Sequence, residues 1–307
     1  MGLTLFSMFF GAGNLIFPPF LGAQAGIQTW IAMAGFALSA VGLPVLGVVA
    51  VAKSGGLPAL ANRVGRPFSA VFTMLTYLSI GPCLAIPRTA STSYEMAVTP
   101  FAGETPSWVL VLYSFVFFSI ALLVALRPEK LTNFLGRFTG PTLLILILVI
   151  FVGCLMNPPG GYGPVTEIYT QGALAQGFIG GYQTMDTIAA LNFGIVIALN
   201  IQNRGITEEK SVVRTTIRAG WIAGSILLLV YAILAHVGAI SGGSFPGASN
   251  GTGVLSNLVD FLFGPIGSIL LGAVFVIACL NTCIGLLCAC GEYFYSLFPK
   301  VSAKIWI

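Results

Sequence analysis

Charge is scarce in this sequence. Only 7% of its 307 residues are Asp, Glu, Lys or Arg, whereas a soluble globular domain carries about 25%. Residues 1–52 contain no charged side chain, and the mean hydropathy of the chain is +0.97. Since about 20 apolar residues in a helix cross the hydrocarbon of a bilayer, this composition excludes a soluble globular domain. It predicts an all-α, polytopic membrane protein surrounded by the lipid bilayer.

Side chains that perform catalysis or hold metals are also rare. The single histidine, His236, lies far in sequence from any nucleophile-like arrangement. The six cysteines have no histidine or carboxylate neighbours at zinc-ligand spacing. No glycine-rich phosphate-binding motif ending in lysine is present. These absences predict a protein that is not an enzyme, holds no covalent cofactor and does not use ATP.

The apolar residues form eight stretches that are long enough to be membrane spans. We expect these spans near residues 3–24, 28–52, 68–96, 107–126, 138–157, 178–201, 215–237 and 265–296.

The basic residues occupy alternate connections between these spans. The intervening connections hold Glu104 and Glu167 and no lysine or arginine. Because loops rich in Lys and Arg stay on the cytoplasmic side, the pattern predicts a cytoplasmic amino terminus. It also accounts for the net charge of +4 without a nucleic-acid partner. The basic residues of the alternate connections are Lys53, Arg63, Arg66, Arg127, Lys130, Arg137, Arg204, Lys210, Arg214, Arg218, Lys300 and Lys304.

The first span contains residues that interrupt a helix. Residues 11–19 read Gly-Ala-Gly-Asn-Leu-Ile-Phe-Pro-Pro, and glycine and proline are the poorest helix formers. A helix that stops near Phe10 and restarts near Leu15 leaves backbone N–H groups without partners, and such groups favour a carboxylate. The alternative is a proline kink whose glycines allow close helix packing. The exposed N–H groups would be those of Ala12, Gly13 and Asn14.

A second interruption is expected in the sixth span. Residues 180–187 read Gly-Gly-Tyr-Gln-Thr-Met-Asp-Thr, and Asn192-Phe193-Gly194 follows. Interrupted spans five apart are the expected sign of a five-plus-five inverted repeat. We therefore expect one membrane domain over residues 1–307, with a first repeat at about 1–157 and a second at about 178–307. Since ten spans complete such a repeat and eight are expected, the second repeat is predicted to be truncated.

Asp186 is the one acidic residue near the middle of an expected span. A carboxylate at that depth is costly unless it faces a cavity, a cation or a polar partner. Its best role is as the partner of a substrate ammonium group or of sodium, and a proton relay is the next candidate. A structural alternative is that Asp186 and Thr187 cap the helix that restarts there.

Arg88 is the one basic residue outside the basic loops. Gly81-Pro82 and Pro87 disrupt the span that carries it, and Glu95 lies seven residues later on the same helical face. Arg88 is a candidate for a gate or for binding a substrate carboxylate. The structural alternative is an arginine that is paired internally or that reaches the membrane surface.

Oxygen atoms from two spans are candidates for a cation site. An interrupted first span exposes carbonyl groups near Ser7 and Phe10, and the eighth span carries Asn281 and Thr282 in an apolar helix. Oxygen ligands without thiolates or imidazoles suit a hard cation such as sodium. The alternative for Thr282 is a hydrogen bond to the carbonyl one turn back.

Three motifs together resemble those of the bacterial branched-chain amino acid:cation symporters, the LIVCS family. The resemblance extends over essentially all 307 residues. It implies sodium-coupled uptake of leucine, isoleucine and valine across the bacterial inner membrane, and a leucine-transporter-like fold with helices beyond the eight expected here. The motifs are Phe10-Gly11-Ala12-Gly13-Asn14-Leu15-Ile16-Phe17-Pro18-Pro19, Gly81-Pro82 with Ile86-Pro87-Arg88-Thr89-Ala90, and Gly181-Tyr182-Gln183-Thr184-Met185-Asp186-Thr187.

A more distant likeness is to the neurotransmitter:sodium symporters. Their Gly-x-Gly-Asn break is similar to residues 11–14, and an Ala-Gly-Leu-Thr-Ser motif in their eighth helix is similar to residues 278–282. The likeness implies a sodium site made of the carbonyl groups of Ser7, Phe10 and Ala278 and the side chains of Asn281 and Thr282.

These observations lead to one principal hypothesis. The protein is expected to be a secondary symporter that binds a branched-chain amino acid and Na⁺ at mid-membrane, between the interrupted helices, and works by alternating access. The substrate site is expected at Ala12, Gly13, Asn14, Asp186, Thr187 and Arg88. The same fold also permits another zwitterion or coupling to protons. A channel or a membrane-embedded sensor is the alternative from another class, and the sequence leaves the oligomeric state open.

Overall fold

All regular structure in the described residues is helical. A computed structural model describes residues 1–103, 105–127, 131, 133–248 and 250–306. The expected loop residues Glu104 and Lys130 lie outside these ranges. The α-helices are α1 (Gly2–Phe9), α2 (Ala12–Ala25), α3 (Thr29–Ala37), α4 (Leu43–Ser54), α5 (Leu57–Ala61), α6 (Arg66–Leu78), α7 (Ala85–Ala97), α8 (Thr99–Ala102), α9 (Ser107–Ala125), α10 (Gly140–Met156), α11 (Glu167–Thr170), α12 (Ala173–Tyr182), α13 (Asp186–Gln202), α14 (Glu209–Ser244), α15 (Gly251–Phe263), α16 (Pro265–Leu297) and α17 (Ala303–Trp306).

Several of these helices are long and apolar enough to cross a membrane. Within the described ranges six continuous helical stretches meet that requirement, and the bent pair α12 and α13 raises the number to seven. The expected number of eight is not confirmed. One reason is that α1 has only eight residues. Another is that Ala12–Ser54 runs as one helical stretch, although Gly26, with φ +48° and ψ −122°, turns the chain between α2 and α3.

The interruption in the first span lies at Phe10 and Gly11. Phe10 has φ −73° and ψ 87°, and Gly11 is extended with φ −111° and ψ −163°. The predicted restart near Leu15 is wrong, because α2 begins at Ala12. The helix also continues through the Pro18-Pro19 pair. The two prolines remove the N–H groups that would reach the carbonyls four residues earlier, but they do not stop the helix.

The interruption in the sixth span lies where the sequence predicts it. Helix α12 ends at Tyr182, α13 begins at Asp186, and the two axes are bent by 43°. Met185 between them has φ +66°, which costs about 1–3 kcal/mol for a residue other than glycine. The helical axis is therefore redirected at a residue whose backbone is strained.

The third span is interrupted as well. Helices α6 and α7 are joined by a π-helical segment, Ser79–Cys83, in which Gly81 has the non-helical angles φ −86° and ψ −122°. Leu84 follows with φ −140°. The Gly81-Pro82 pair thus bends the chain just before the turn of α7 that carries Arg88.

The first span packs against the span that follows the sixth, and the sixth span packs against the span that follows the first. Helices α1 and α2 lie against α14, while α12 and α13 lie against α3 and α4. Glycines bring the backbones into direct contact. A Cβ at Gly22 would lie 1.9 Å from the carbonyl oxygen of Ala235, and one at Gly177 would lie 1.8 Å from that of Ala32. The two contacts are thus built in the same way.

Candidate functional site

A pocket lies between the interruptions of the first and sixth spans. Its empty volume, including the part open to solvent, is about 520 Å³. Helices α7 and α16 complete its wall. It is lined by Met8, Phe9, Gly11, Ala12, Gly13, Asn14, Ile80, Ala85, Arg88, Thr89, Thr184, Met185, Asp186, Ala189, Phe193, Thr282 and Leu286.

The first turn of α2 forms one polar part of this wall. Ala12, Gly13 and Asn14 are its first three residues, so their N–H groups have no acceptor within the helix. The helix dipole places partial positive charge at the same end. The Asn14 side chain folds back and accepts a hydrogen bond from the N–H of Gly11 at 3.1 Å. The sequence predicted these three residues, and the structure brings all of them to the pocket.

Asp186 forms the opposing polar part at the start of α13. Its Oδ2 accepts hydrogen bonds from Nδ2 of Asn14 at 2.6 Å and from the hydroxyl of Tyr231 at 2.9 Å. Asn14 also donates to the Tyr231 oxygen. Asn14, Asp186 and Tyr231 are 2%, 3% and 0% exposed. The three side chains form a closed triangle that links α2, α13 and α14.

Tyr231 is the functional candidate that the sequence reasoning missed. It lies in α14, inside the apolar segment Leu227–Ile233, where a tyrosine resembles the other bulky residues. Its ring is 6.3 Å from that of Phe10 and 5.3 Å from that of Phe36, measured between centroids. The one local signal that could have identified Tyr231 is a hydroxyl group inside a long apolar run.

Thr187 does not line the pocket. Its hydroxyl donates to the carbonyl oxygen of Ser39 at 3.4 Å, because residue 187 lies on the side of α13 that packs against the second span. Thr184, which precedes the strained Met185, lines the pocket instead. The carboxylate of Asp186 is hydrogen-bonded across the pocket rather than to the backbone N–H groups of α13. The two residues therefore do not form the helix cap that was the structural alternative.

Arg88 is the cationic residue of the pocket wall. Its Nη1 lies 3.9 Å from Sδ of Met185, and a Cβ at Gly13 would lie 3.2 Å from its Nη2. The side chain is half-buried, whereas Glu95 is exposed. In the described part of the chain the two residues do not form an ion pair. The guanidinium thus lies beside the first turn of α2, on the pocket side.

The predicted sodium ligands do not all lie on the pocket wall. Thr282 lines the pocket, and its hydroxyl donates to the carbonyl of Met8 at 3.0 Å, not to its own helix. The Ser7 hydroxyl donates to the carbonyls of Leu3 and Leu135. In a continuous helix the Gly11 N–H would bond to the carbonyl of Ser7, but it bonds to Asn14 instead.

Asn281 is the most unusual of these residues. Its side chain is fully buried, and neither Oδ1 nor Nδ2 has a hydrogen-bond partner among the described residues. An orphaned buried amide is costly, by about 1–3 kcal/mol. Phe10 and Ala278 are also fully buried, and neither is part of the pocket wall.

The whole chain is similar to one family of known proteins. A family model described as "Branched-chain amino acid transport protein" matches residues 1–307. The chain is 41% identical over 307 residues to the branched-chain amino acid permease BraB of Bacillus subtilis, covering 99% of this chain and 69% of that protein.

Two further relatives show the same extent of similarity. The branched-chain amino acid transport system 3 carrier protein of Pseudomonas aeruginosa is 44% identical over 300 residues. The branched-chain amino acid permease BrnQ of Escherichia coli K12 is 42% identical over 300 residues. In both comparisons the match covers 97% of this chain and 68% of the relative.

Proposed function

The chain belongs to the branched-chain amino acid transport protein family, and we propose that it is a sodium-coupled symporter of leucine, isoleucine and valine. The relatives are named as permeases and carriers. The chain is accordingly a multi-pass membrane protein of a transporter family and not an enzyme. The coupling ion, the site and the mechanism are the parts that we propose.

The observation that carries the proposal is the position of Asp186 opposite the first turn of α2. Both line one pocket, and Asn14 links them by a hydrogen bond of 2.6 Å. A zwitterion carries one negative and one positive charge. The pocket offers N–H groups at the first turn of α2 for the negative charge and the Asp186 carboxylate for the positive charge. The substrate carboxylate would bind the N–H groups of Ala12 and Gly13 next to the Arg88 guanidinium. Its ammonium group would face Asp186.

The remaining wall suits an aliphatic side chain. Ile80, Phe193 and Leu286 lie on it, together with Met8 and Phe9. Burying one methylene group contributes about 0.8 kcal/mol, so a branched aliphatic side chain would gain several times that amount here. The Arg88 guanidinium would add a paired, charged contact to the substrate carboxylate that the backbone N–H groups alone do not supply.

The sodium site is proposed at the end of α1 and the facing turn of α16. The ligands would be the carbonyl oxygens of Ser7, Phe10 and Ala278 and the side-chain oxygens of Asn281 and Thr282. Three observations support this set. Thr282 bonds to the last turn of α1, the Ser7 carbonyl has lost its helical donor, and the buried Asn281 side chain has no hydrogen-bond partner among the described residues. A hard cation such as Na⁺ prefers oxygen ligands of this kind.

The reciprocal packing supports a leucine-transporter-like arrangement. In an inverted repeat, the contact between the first span and the seventh has a counterpart between the sixth and the second. The contacts of α1 and α2 with α14, and of α12 and α13 with α3 and α4, have this relation. We therefore propose one domain, with repeats at about 1–157 and 178–307 and a cytoplasmic amino terminus in the bacterial inner membrane.

Alternating access would use the interruptions as hinges. Bending at Phe10-Gly11 and at residues 183–185 changes the distance between α2 and Asp186 without unfolding a helix. The Asn14–Asp186–Tyr231 triangle would hold the empty pocket together. A bound ammonium group would replace part of that network, so that substrate binding and helix position become linked.

The test is uptake of labelled leucine by proteoliposomes that contain the purified protein. An inward sodium gradient should drive accumulation, and a proton gradient without sodium should not. Counterflow should also occur, because unlabelled leucine preloaded inside the vesicles drives transient accumulation of labelled leucine by a carrier, whereas an open pore shows no such accumulation. Leucine accumulation that does not depend on sodium would overturn the proposed coupling to sodium. Leucine flux that does not saturate would indicate a channel.

Coupling to protons is the second candidate. It is favoured by Asp186, a buried carboxyl group that lines the pocket and accepts two hydrogen bonds. Such a group is suited to carry a proton across the membrane. The same vesicles distinguish the candidates, since a pH gradient would then drive leucine uptake in the absence of sodium and a protonophore would abolish it.

A further inference from the structure

Two adjoining depressions lie along one side of the helix pair α4 and α14. The first, called the basic cup, is lined by Lys53, Lys210, Arg214 and Arg218 together with Glu209. The second, called the apolar groove, is lined by residues of the same two spans that lie further from the basic loops. They include Val41, Val45, Leu46, Trp221, Gly224 and Leu228.

The cup and the groove share one face of α14. Both depressions draw their lining from a single run of positions, at intervals of four, three, four, three and four residues. Positions with this spacing lie on one stripe of an α-helix. The two depressions therefore follow one another along a single furrow on the outer surface of the helix bundle. The positions are Lys210, Arg214, Ile217, Trp221, Gly224 and Leu228.

The basic cup has an excess of positive charge. Its four cations are opposed by the single carboxylate of Glu209, which leaves a formal excess of 4 − 1 = 3. All four cationic side chains are exposed. None of them makes an ion pair within the ranges that the structure describes. An anion that entered the cup would therefore meet several unpaired donors.

The distance from the basic cup to the far end of the apolar groove matches the thickness of one leaflet of a bilayer. Arg218 and Leu228 are separated by ten residues of helix, or about 15 Å at 1.5 Å per residue. This is half of the roughly 30 Å of hydrocarbon in a membrane. Trp221 lies between cup and groove and is 60% exposed, and tryptophan favours the boundary between headgroups and hydrocarbon. Gly42 and Gly224, which have no side chains, are among the residues that line the groove.

We propose that an anionic phospholipid of the phosphatidylglycerol type binds here, with its phosphate in the basic cup and one acyl chain along the apolar groove. Basic depressions between helices at the membrane surface bind anionic headgroups by charge and hydrogen bonding. The groove supplies the second requirement, which a soluble anion could not use. This site is separate from the pocket between the interrupted spans.

The experiment uses the tryptophan at the junction as a reporter. Trp30, Trp108 and Trp306 are replaced by phenylalanine, and the protein is placed in phosphatidylcholine bilayers with a minor fraction of phosphatidylglycerol. Bromine is carried on the acyl chains of either lipid, and quenching of Trp221 reports which lipid lies beside it. Per molecule, brominated phosphatidylglycerol should quench about fivefold or more strongly than brominated phosphatidylcholine.

Two variants with the same charge loss make the test specific. Arg214→Gln/Arg218→Gln should abolish most of the preference, since each basic residue near the surface contributes about fivefold. Arg63→Gln/Arg66→Gln removes two exposed charges outside the cup and should leave it intact. Arg214→Lys/Arg218→Lys keeps the charge and should retain the preference, which distinguishes loss of the site from loss of the fold.

Three results would overturn the proposal. One is equal quenching of Trp221 by the two lipids. Another is an equal loss of preference in the Arg63/Arg66 and Arg214/Arg218 variants, which would indicate general surface attraction. The third is an unchanged preference in Arg214→Gln/Arg218→Gln, which would place the headgroup outside the basic cup. A protein that keeps Trp108 alone, on α9, should show no preference.

Discussion

Asn14 Nδ2 lies 2.6 Å from Oδ2 of Asp186, so one hydrogen bond joins two interrupted spans whose residues are 172 positions apart in sequence. Each interruption frees backbone groups that need partners in the apolar interior of the bundle. Asn14 satisfies the Gly11 N–H with its oxygen and Asp186 with its nitrogen. The same side chain therefore stabilises one interruption and fixes its distance from the other.

Replacing Asp186 with asparagine should reduce sodium-driven leucine uptake by roughly tenfold or more. The change keeps the size of the side chain but removes the negative charge that would bind the substrate ammonium group. Hydrogen bonds to charged groups contribute about 1.5–3 kcal/mol. Initial rates in proteoliposomes measure the effect. Asp260→Asn, at an exposed position, is the matched control and should transport normally; unimpaired uptake by the Asp186 variant would leave Asp186 with a structural role only.

Replacing Tyr231 with phenylalanine should weaken leucine transport by about tenfold while the protein still folds. The ring that packs against Phe10 and Phe36 is kept, but the hydroxyl that bonds to Asn14 and Asp186 is lost. A hydrogen bond to a charged group of this kind contributes about 1.5–3 kcal/mol. The half-saturation concentration for leucine and the maximal rate should be measured separately.

Tyr113→Phe is the control for that variant. It removes a hydroxyl that bonds to Ser93 at 2.9 Å, outside the pocket. Similar losses in both variants would mean that any hydrogen-bonded tyrosine hydroxyl matters equally, and the role of the triangle would have to be abandoned.

Replacing Thr282 with valine should raise the sodium concentration needed for half-maximal uptake by about tenfold. The variant loses the hydroxyl that bonds to Met8 and that we propose as a sodium ligand. At saturating sodium the leucine affinity should recover, because the substrate site is intact. Thr76→Val is the control, since the Thr76 hydroxyl bonds to the carbonyl of Phe72 within its own helix. An unchanged sodium dependence in the Thr282 variant contradicts the proposed ion site.

Replacing Gly177 with alanine should destabilise the protein by about 1–3 kcal/mol, the usual cost of overpacking. The added methyl carbon would lie 1.8 Å from the carbonyl oxygen of Ala32 in α3, so the helices must move apart. Thermal unfolding of the detergent-solubilised protein should show a lower midpoint. Gly161→Ala is the control, because a Cβ there meets nothing within 4 Å. Equal midpoints in the two variants would show that α3 and α12 tolerate separation.

The sequence located both interruptions but not their limits. Glycine and polar residues in an apolar run predict where a helix breaks, and the breaks at Gly11 and Met185 are in those segments. The Pro18-Pro19 pair was interpreted as part of the first break, yet α2 continues through it. A proline costs one hydrogen bond and some crowding, which a well-packed helix tolerates. Propensity alone does not show how well a helix is packed.

The candidate site was predictable only in part for a similar reason. Asp186 and Asn14 are conspicuous because polar groups inside a membrane are expensive. Tyr231 and Thr184 are not conspicuous, since tyrosine and threonine also occur as ordinary packing residues in an apolar helix. Thr187 adjoins Asp186 in sequence but projects toward Ser39. Which of two neighbouring hydroxyl groups faces the pocket depends on the strained backbone at Met185, and composition does not report that angle.

The glycine contacts determine which parts of the molecule can move together. At Gly22 and Gly238 the main chains of α2 and α14 touch, and at Gly35 and Gly177 those of α3 and α12 touch. Main chains in contact have no intervening side chains whose rotation would let one helix slide along the other. Each pair must consequently travel as a single block, and the first and sixth spans themselves have to bend at their short stretches of non-helical backbone.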